Sequence, residues 1–279
     1  MATCNAPRGL RSQSAIPGSH DYARQSFDTG DAAANYPGIG SDEPRDRREW
    51  RCIAAALDGL PRGAKVLDLP SGSGRMTARL LNSGYRVMAG DSSLPMLRRL
   101  SLAVDDPHLQ VACCDATATG FASRSFDAVL CNRLLHHLAD SESRRAVLRE
   151  LARVSRGPVV VSFFSTLALD TLGWQLKGVL RGRRARDRRP IWPSALAADV
   201  QSVGLRVAAW RAARLGVSRQ WYATCVARRT MHRTPVSPQG VRFYLRAQRT
   251  TASPTCARIA TGSRCRSPVR LLYASRARQ

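Results

Sequence analysis

Four short stretches of this 279-residue chain carry side chains able to hold a ligand and to move charge. In the first, VLDLPSGSGRMTARL, Asp68 stands four residues ahead of Gly72 and six ahead of Gly74. Glycine suits a turn whose backbone must come close to a ligand in conformations that a side chain forbids. The second, YRVMAGDSSLPML, contains Asp91, 23 residues after Asp68, followed by Ser92. A carboxylate so placed, at the tip of a second strand, accepts both hydroxyl hydrogens of a ribose. The third holds Cys114, Asp115 and Ala116, where another carboxylate could accept from an adenine amino group. The fourth combines Asn132 and Arg133 with the pair His136 and His137. These residue types suit a nucleoside-bearing cofactor, and spacing alone leaves its kind open. The dinucleotide fingerprint asks for a third glycine, where this chain has Thr77.

Such residues work only if strands and helices bring them to one edge. Apolar runs at 64–69, 85–90, 109–114, 126–131 and 159–164 predict strands, each of the first four ending on Asp68, Asp91, Asp115 or Asn132. Between them, helices are expected at 75–82, 95–104 and 141–154, the last capped by Asp140 or Ser141. Before the first strand, Trp50, Ile53, Ala54 and Leu57 recur at helical spacing. Strands alternating with helices of this length make βαβ units, hence a parallel sheet with helices on both faces. After a helix at 193–202, the stretches 205–210 and 220–227 are close enough to pair as an antiparallel hairpin at the sheet edge. The expected fold class is therefore α/β, doubly wound, with a mostly parallel seven-stranded sheet ending in that hairpin.

Three segments follow from composition. Residues 1–43 are rich in Gly, Ser, Ala and Asp without a period and are expected to be mobile, able to cover a neighbouring site. Residues 44–229 form the domain. Residues 230–279 have no acid and no period and are expected to be a disordered basic tail. Two thirds of the net charge of +24 lies in the final 80 residues: beyond Asp199 the chain has 16 arginines and no acid. Only Lys65 and Lys177 among the 44 basic residues are lysine, a skew pointing to coding-sequence base composition more than to a nucleic-acid surface. The run RGRRARDRR at 181–189 lacks interleaved aromatics and reads as a solvated loop, with a phosphate-binding role as the alternative. Trp174 and Trp192 beside it are expected to pack in the core, with lining a pocket as the alternative. No apolar run is long enough to span a membrane, and no signal pattern opens the chain. The eight cysteines show neither a CxxC pair nor a metal-ligand grouping with histidine, as expected of reduced thiols in the cytoplasm.

On LDLPSGSG (67–74), AGDSSLPML (89–97), CDAT (114–117), SFDAVLCNRLLHHL (125–138) and LRELARVSRG (148–157), the chain resembles class I S-adenosylmethionine (SAM) dependent methyltransferases. Within them it resembles the small-molecule, type 11 group that includes quinone-biosynthesis enzymes. The resemblance covers roughly residues 45–229 and implies SAM as cofactor, no metal, and methyl transfer to a small molecule. By it, Asp68, Pro70, Gly72 and Gly74 lie along the methionine end of SAM, and Asp91 with Ser92 holds the ribose. Asp115 and Ala116 flank the adenine, and Asn132 and Arg133 face the methyl group and acceptor. Pro70 departs from the glycine usual in this family; proline fixes φ and removes an amide donor. His136 and His137 are the candidate bases, a structural role being the alternative. Rival readings are an RNA or protein methyltransferase, supported only by the arginines, and a non-catalytic SAM binder, suggested by Pro70. The amino-methylating NPPY tetrapeptide is missing, its place held by Asn132, Arg133, Leu134 and Leu135. Acceptor identity and oligomeric state leave no trace in the sequence.

Overall fold

The structure, a computed structural model, describes residues 43–138, 140–171, 173 and 189–228, and the backbone of 271–273. The expected N-terminal segment, the tail except 271–273, the arginine run except Arg189, and Trp174 lie outside the described residues.

Helix α1 (Pro44–Ala56) leads into strand β1 (Lys65–Asp68), followed by α2 (Arg75–Asn82), β2 (Arg86–Asp91), α3 (Leu94–Ala103) and β3 (Leu109–Cys113). Then come β4 (Ala128–Cys131), a single 3-10 turn (Leu135–His137), α4 (Ser141–Val154) and β5 (Val159–Phe164). The domain closes with α5 (Pro193–Ser202), β6 (Leu205–Ala212) and β7 (Gln220–Ala227). The sheet order is β6-β7-β5-β4-β1-β2-β3-β8, where β8 is Leu271–Tyr273. Seven strands stand as expected; the eighth pairs in parallel with β3 and comes from the segment in which no period is legible. Strands β6 and β7 form the antiparallel hairpin, with β7 against β5.

Both faces of the sheet are covered, which explains why its strands are continuous apolar runs. Alternation along each strand sends neighbours to opposite sides. Val66, Ala128, Leu130 and Val160 join one core with Ile53 of α1, Leu80 of α2 and Leu97 of α3. Leu67, Val129, Cys131, Val159 and Val161 join the other with Leu148 and Leu151 of α4 and Leu196 of α5. Helix α4 starts where Asp140 accepts the Ser143 amide at 2.7 Å. It is tied to α5 by Arg144 and Arg145, which donate to the buried Asp199 at 2.8 and 2.9 Å. Trp192 departs from its expected place in the core: it is 58% exposed, because it stands outside α5 as its N-cap residue, clear of the buried face.

Candidate active site

Between β1 and β4 the chain connections turn to opposite directions, since β2 and β3 lie on one side of β1 and β4 and β5 on the other. At such a switch point the loops beyond the strand ends part and leave room for a ligand. Asp68, the turn after β1 and Asp91 meet here.

Asp68 closes β1 and is 1% exposed. Its Oδ2 accepts from the Thr77 hydroxyl at 2.7 Å, and its buried Oδ1 has no hydrogen-bond partner among the described residues. Burial pushes this carboxyl up to about 7 against the Thr77 hydrogen bond; the Asp91 charge adds to the rise and the Arg75 charge opposes it. The turn then passes through the half-buried Pro70 to Gly72 and Gly74, with φ of 55° and 93°. Those left-handed values are what glycine permits at little cost. The turn is closed on both sides: the Ser71 amide donates to the Gly90 carbonyl at 2.8 Å, and the Gly72 amide donates to Asp91 Oδ2 at 2.8 Å.

Asp91 is thereby fastened to the turn it faces. Its second oxygen accepts the Ser93 amide at 2.9 Å, and Ser92, half-buried, accepts from Cys113 Sγ through its carbonyl. A carboxylate oxygen carries two lone pairs and can accept more than one hydrogen bond. Asp115 sits beyond β3, half-buried, its Oδ1 accepting both the amide and the hydroxyl of Thr117, with Ala116 buried behind it. Asp91 and Asp115 both act on the Cys114 thiol, which burial first and then these charges push up to about 12.

Past β4, Asn132 is 7% exposed and its Oδ1 accepts from the Ser162 hydroxyl at 2.9 Å and the Tyr222 hydroxyl at 3.3 Å. Arg133 has φ of 62°, its amide donating to Ser162 Oγ at 2.7 Å. Its guanidinium reaches across to Glu49 of α1. Glu49 also accepts from Arg75 at 3.1 Å and from Arg45 at 3.2 Å, while Arg75 further pairs with Asp46. Burial alone would raise the Glu49 pKa, but the Arg133 and Arg75 charges outweigh it and hold the carboxyl below its ordinary value.

His136 is buried and stacks on Phe164, centroids 3.8 Å apart and 7° between planes, and its carbonyl accepts the Arg189 amide. His137 is half-buried with its ring 4.4 Å from that of His136. The pair forms the 3-10 turn, one turn of chain ahead of α4.

Sequence reasoning missed Asp46, Glu49, Arg75, Ser162 and Tyr222. A signal existed for the first two: acids at 46 and 49 share a helical face with Cys52, Ile53 and Ala56, which are all buried. Of the stripe expected from Trp50, Ile53, Ala54 and Leu57, Ile53 and Leu57 are buried and Trp50 and Ala54 half-buried, and the buried face extends to Asp46, Glu49 and Cys52.

The residues suit a cation-bearing nucleoside cofactor on one observation above all: a buried carboxylate oxygen without a partner beside a bare glycine backbone. Residues 67–160 match a family model described as a methyltransferase domain. A demethylmenaquinone methyltransferase of Corynebacterium urealyticum is 39% identical over 121 residues, which cover 43% of this chain and 50% of the relative. The chain thus spans about half the length of that relative. A demethylmenaquinone methyltransferase of Mycobacterium sp. (strain JLS) is 34% identical over 184 residues, covering 59% of this chain and 77% of the relative. Among solved structures, magnesium protoporphyrin IX methyltransferase from Synechocystis PCC 6803 with bound S-adenosylhomocysteine (SAH) superposes with a TM-score of 0.58 at 16% identity. It covers 75% of this chain and 99% of that one. With the strand-tip acids and the glycine turn in the register described, the chain belongs to the class I SAM-dependent methyltransferases.

Proposed function

We propose that this protein transfers a methyl group from SAM to a small-molecule acceptor by in-line displacement. The observation that carries the reading is the buried Asp68, whose Oδ1 lacks a partner at the edge of a glycine turn clasped by Asp91. An ionised Asp68 would counter the positive charge of the methionine end, with Gly72 and Gly74 allowing close approach. Asp91 and Ser92 would hold the ribose, Asp115 and Ala116 the adenine, and Asn132 and Arg133 the acceptor side. SAM supplies an already activated methyl group, so the protein's task is orientation, which contributes roughly 7–11 kcal/mol to such reactions. Pro70 offers no amide to the cofactor, and the Gly72 amide is engaged by Asp91, so affinity rests on the carboxylates.

If the acceptor must lose a proton, His137 is the better-placed base, because the His136 ring is packed against Phe164. The curated relatives make demethylmenaquinone the first acceptor to try. A cytoplasmic location belongs to the same proposal. It agrees with five free cysteines among the described residues, though it does not follow from the fact that no described helix is long and apolar enough to cross a membrane. Calorimetric titration with SAM and SAH tests the cofactor, and mass-spectrometric search for a product heavier by one methylene tests transfer. Absence of binding to both ligands would sink the reading.

A further inference from the structure

Arg133 adopts a left-handed backbone that is uncommon for a long side chain and persists only where its surroundings impose it. Its imposers are two: the Ser162 hydroxyl takes its amide, and Glu49, fully buried on α1, takes its guanidinium. The same carboxylate holds Arg75, the first residue of α2 and the one directly after Gly74. One acid from an element outside the sheet therefore fastens both the turn after β1 and the loop after β4. A buried ion network of this kind is weak evidence for stability and more readily explained by what it positions.

Two guanidiniums at these places would oppose a positively charged cofactor unless balanced. We propose that Glu49 is a positioning residue: by holding Arg75 and Arg133 it cancels their charge at the switch point, making α1 part of the site that admits a sulfonium. The inference rests on the SAM reading above. Its electrostatic reach is visible in two groups: Arg75 acts on the Asp68 carboxyl, and Glu49, Arg133 and Arg75 all act on the Tyr222 hydroxyl.

SAM and SAH differ by the methyl group and its positive charge, so their affinity ratio reports charge where mere structural support does not. Both are titrated calorimetrically into the full-length wild type, Glu49→Gln, Glu49→Asp and the double variant Glu49→Gln with Arg133→Gln. In Glu49→Gln the affinity for SAM relative to SAH falls on the order of tenfold, the size of effect one unit charge exerts across a partly buried site. Glu49→Asp keeps the charge and the wild-type ratio, and the double variant restores the ratio by removing a cation with the anion. Equal loss for both ligands in Glu49→Gln, or a ratio that the double variant does not restore, overturns the proposal while the cofactor reading stands. Wild-type protein that binds neither ligand removes the cofactor reading, and this inference with it. Should Glu49→Gln fail to fold, the double variant against Arg133→Gln alone decides: the ratio must be closer to wild type in the double variant than in Arg133→Gln.

Discussion

Asp68 is held in a state that suits binding more than stability. Its carboxyl titrates at about 7 instead of 3.8, so between pH ~4 and ~7 the native protein keeps a proton that the unfolded chain has released. Stability from this group therefore falls as pH rises through that window and stays level above it. Asp68→Asn, which keeps an acceptor for Thr77, is expected to stabilise the protein by roughly 1–3 kcal/mol at pH 8 in chemical denaturation, and to change little at pH 4. The same substitution should abolish the rise in SAM affinity with pH, up to about tenfold per unit below 7, that calorimetry on the wild type is expected to show. A binding curve flat across pH 6–8 in the wild type would remove Asp68 from the cofactor site. Asp91→Ala is expected to weaken SAM binding severely and to loosen the turn, because the Gly72 and Ser93 amides lose their acceptor. At this scale the strand-tip acids were legible in sequence, since each ends an apolar run. Arg133 was legible as a candidate, but its partner was not, because Glu49 is 84 residues away and only tertiary packing joins them.

Elements were legible where period and cap agree. In α4 the buried Val147, Leu148, Leu151 and Val154 recur at helical spacing behind an Asp140 cap, and the helix begins where that cap predicts. Asp140→Ala is expected to cost about 1 kcal/mol in a denaturant titration. Strand β5 was equally plain, six buried residues between Gly157-Pro158 and a loop. There Gly157 has a tertiary reason: a Cβ at this position would collide with the Asp127 carbonyl, nearer than real side chains come. Gly157→Ala should therefore destabilise by a few kcal/mol, read as a drop in midpoint without a change in m-value. Helix α1 was legible in its existence and in its buried Ile53 and Leu57, while the acids that share the buried face were missed. Trp50 and Ala54 of the expected stripe are half-buried, and packing turns Asp46 and Glu49 inward to meet arginines from α2 and the β4 loop. Acids on an apolar face look like errors of pattern until their distant partners are known.

At the scale of the molecule, the doubly wound order was implied by alternation of strands and helices, and the switch point between β1 and β4 follows from it. The pairing of 271–273 with β3 was not, because a three-residue strand in an aperiodic segment carries no signal above its surroundings. The switch point predicts how a ligand acts on the whole fold. A cofactor bridging the tips of β1, β2 and β3 and the loop after β4 contacts segments from both halves of the sheet, and it binds only when these are assembled. Ligand at a hundred times its dissociation constant adds about 2.7 kcal/mol to the native state. For a domain of this size that corresponds to a rise in Tm of roughly 5–10 °C. Differential scanning calorimetry should show that rise with SAM in the wild type and lose most of it in Asp91→Ala at the same ligand concentration. Gly157→Ala, ahead of β5 at the opposite ends of the strands, separates site from stability: it starts from a lower Tm yet gains as many degrees as the wild type. An equal gain in Asp91→Ala would mean that the ligand stabilises some other part of the chain, and that the strand tips hold no cofactor.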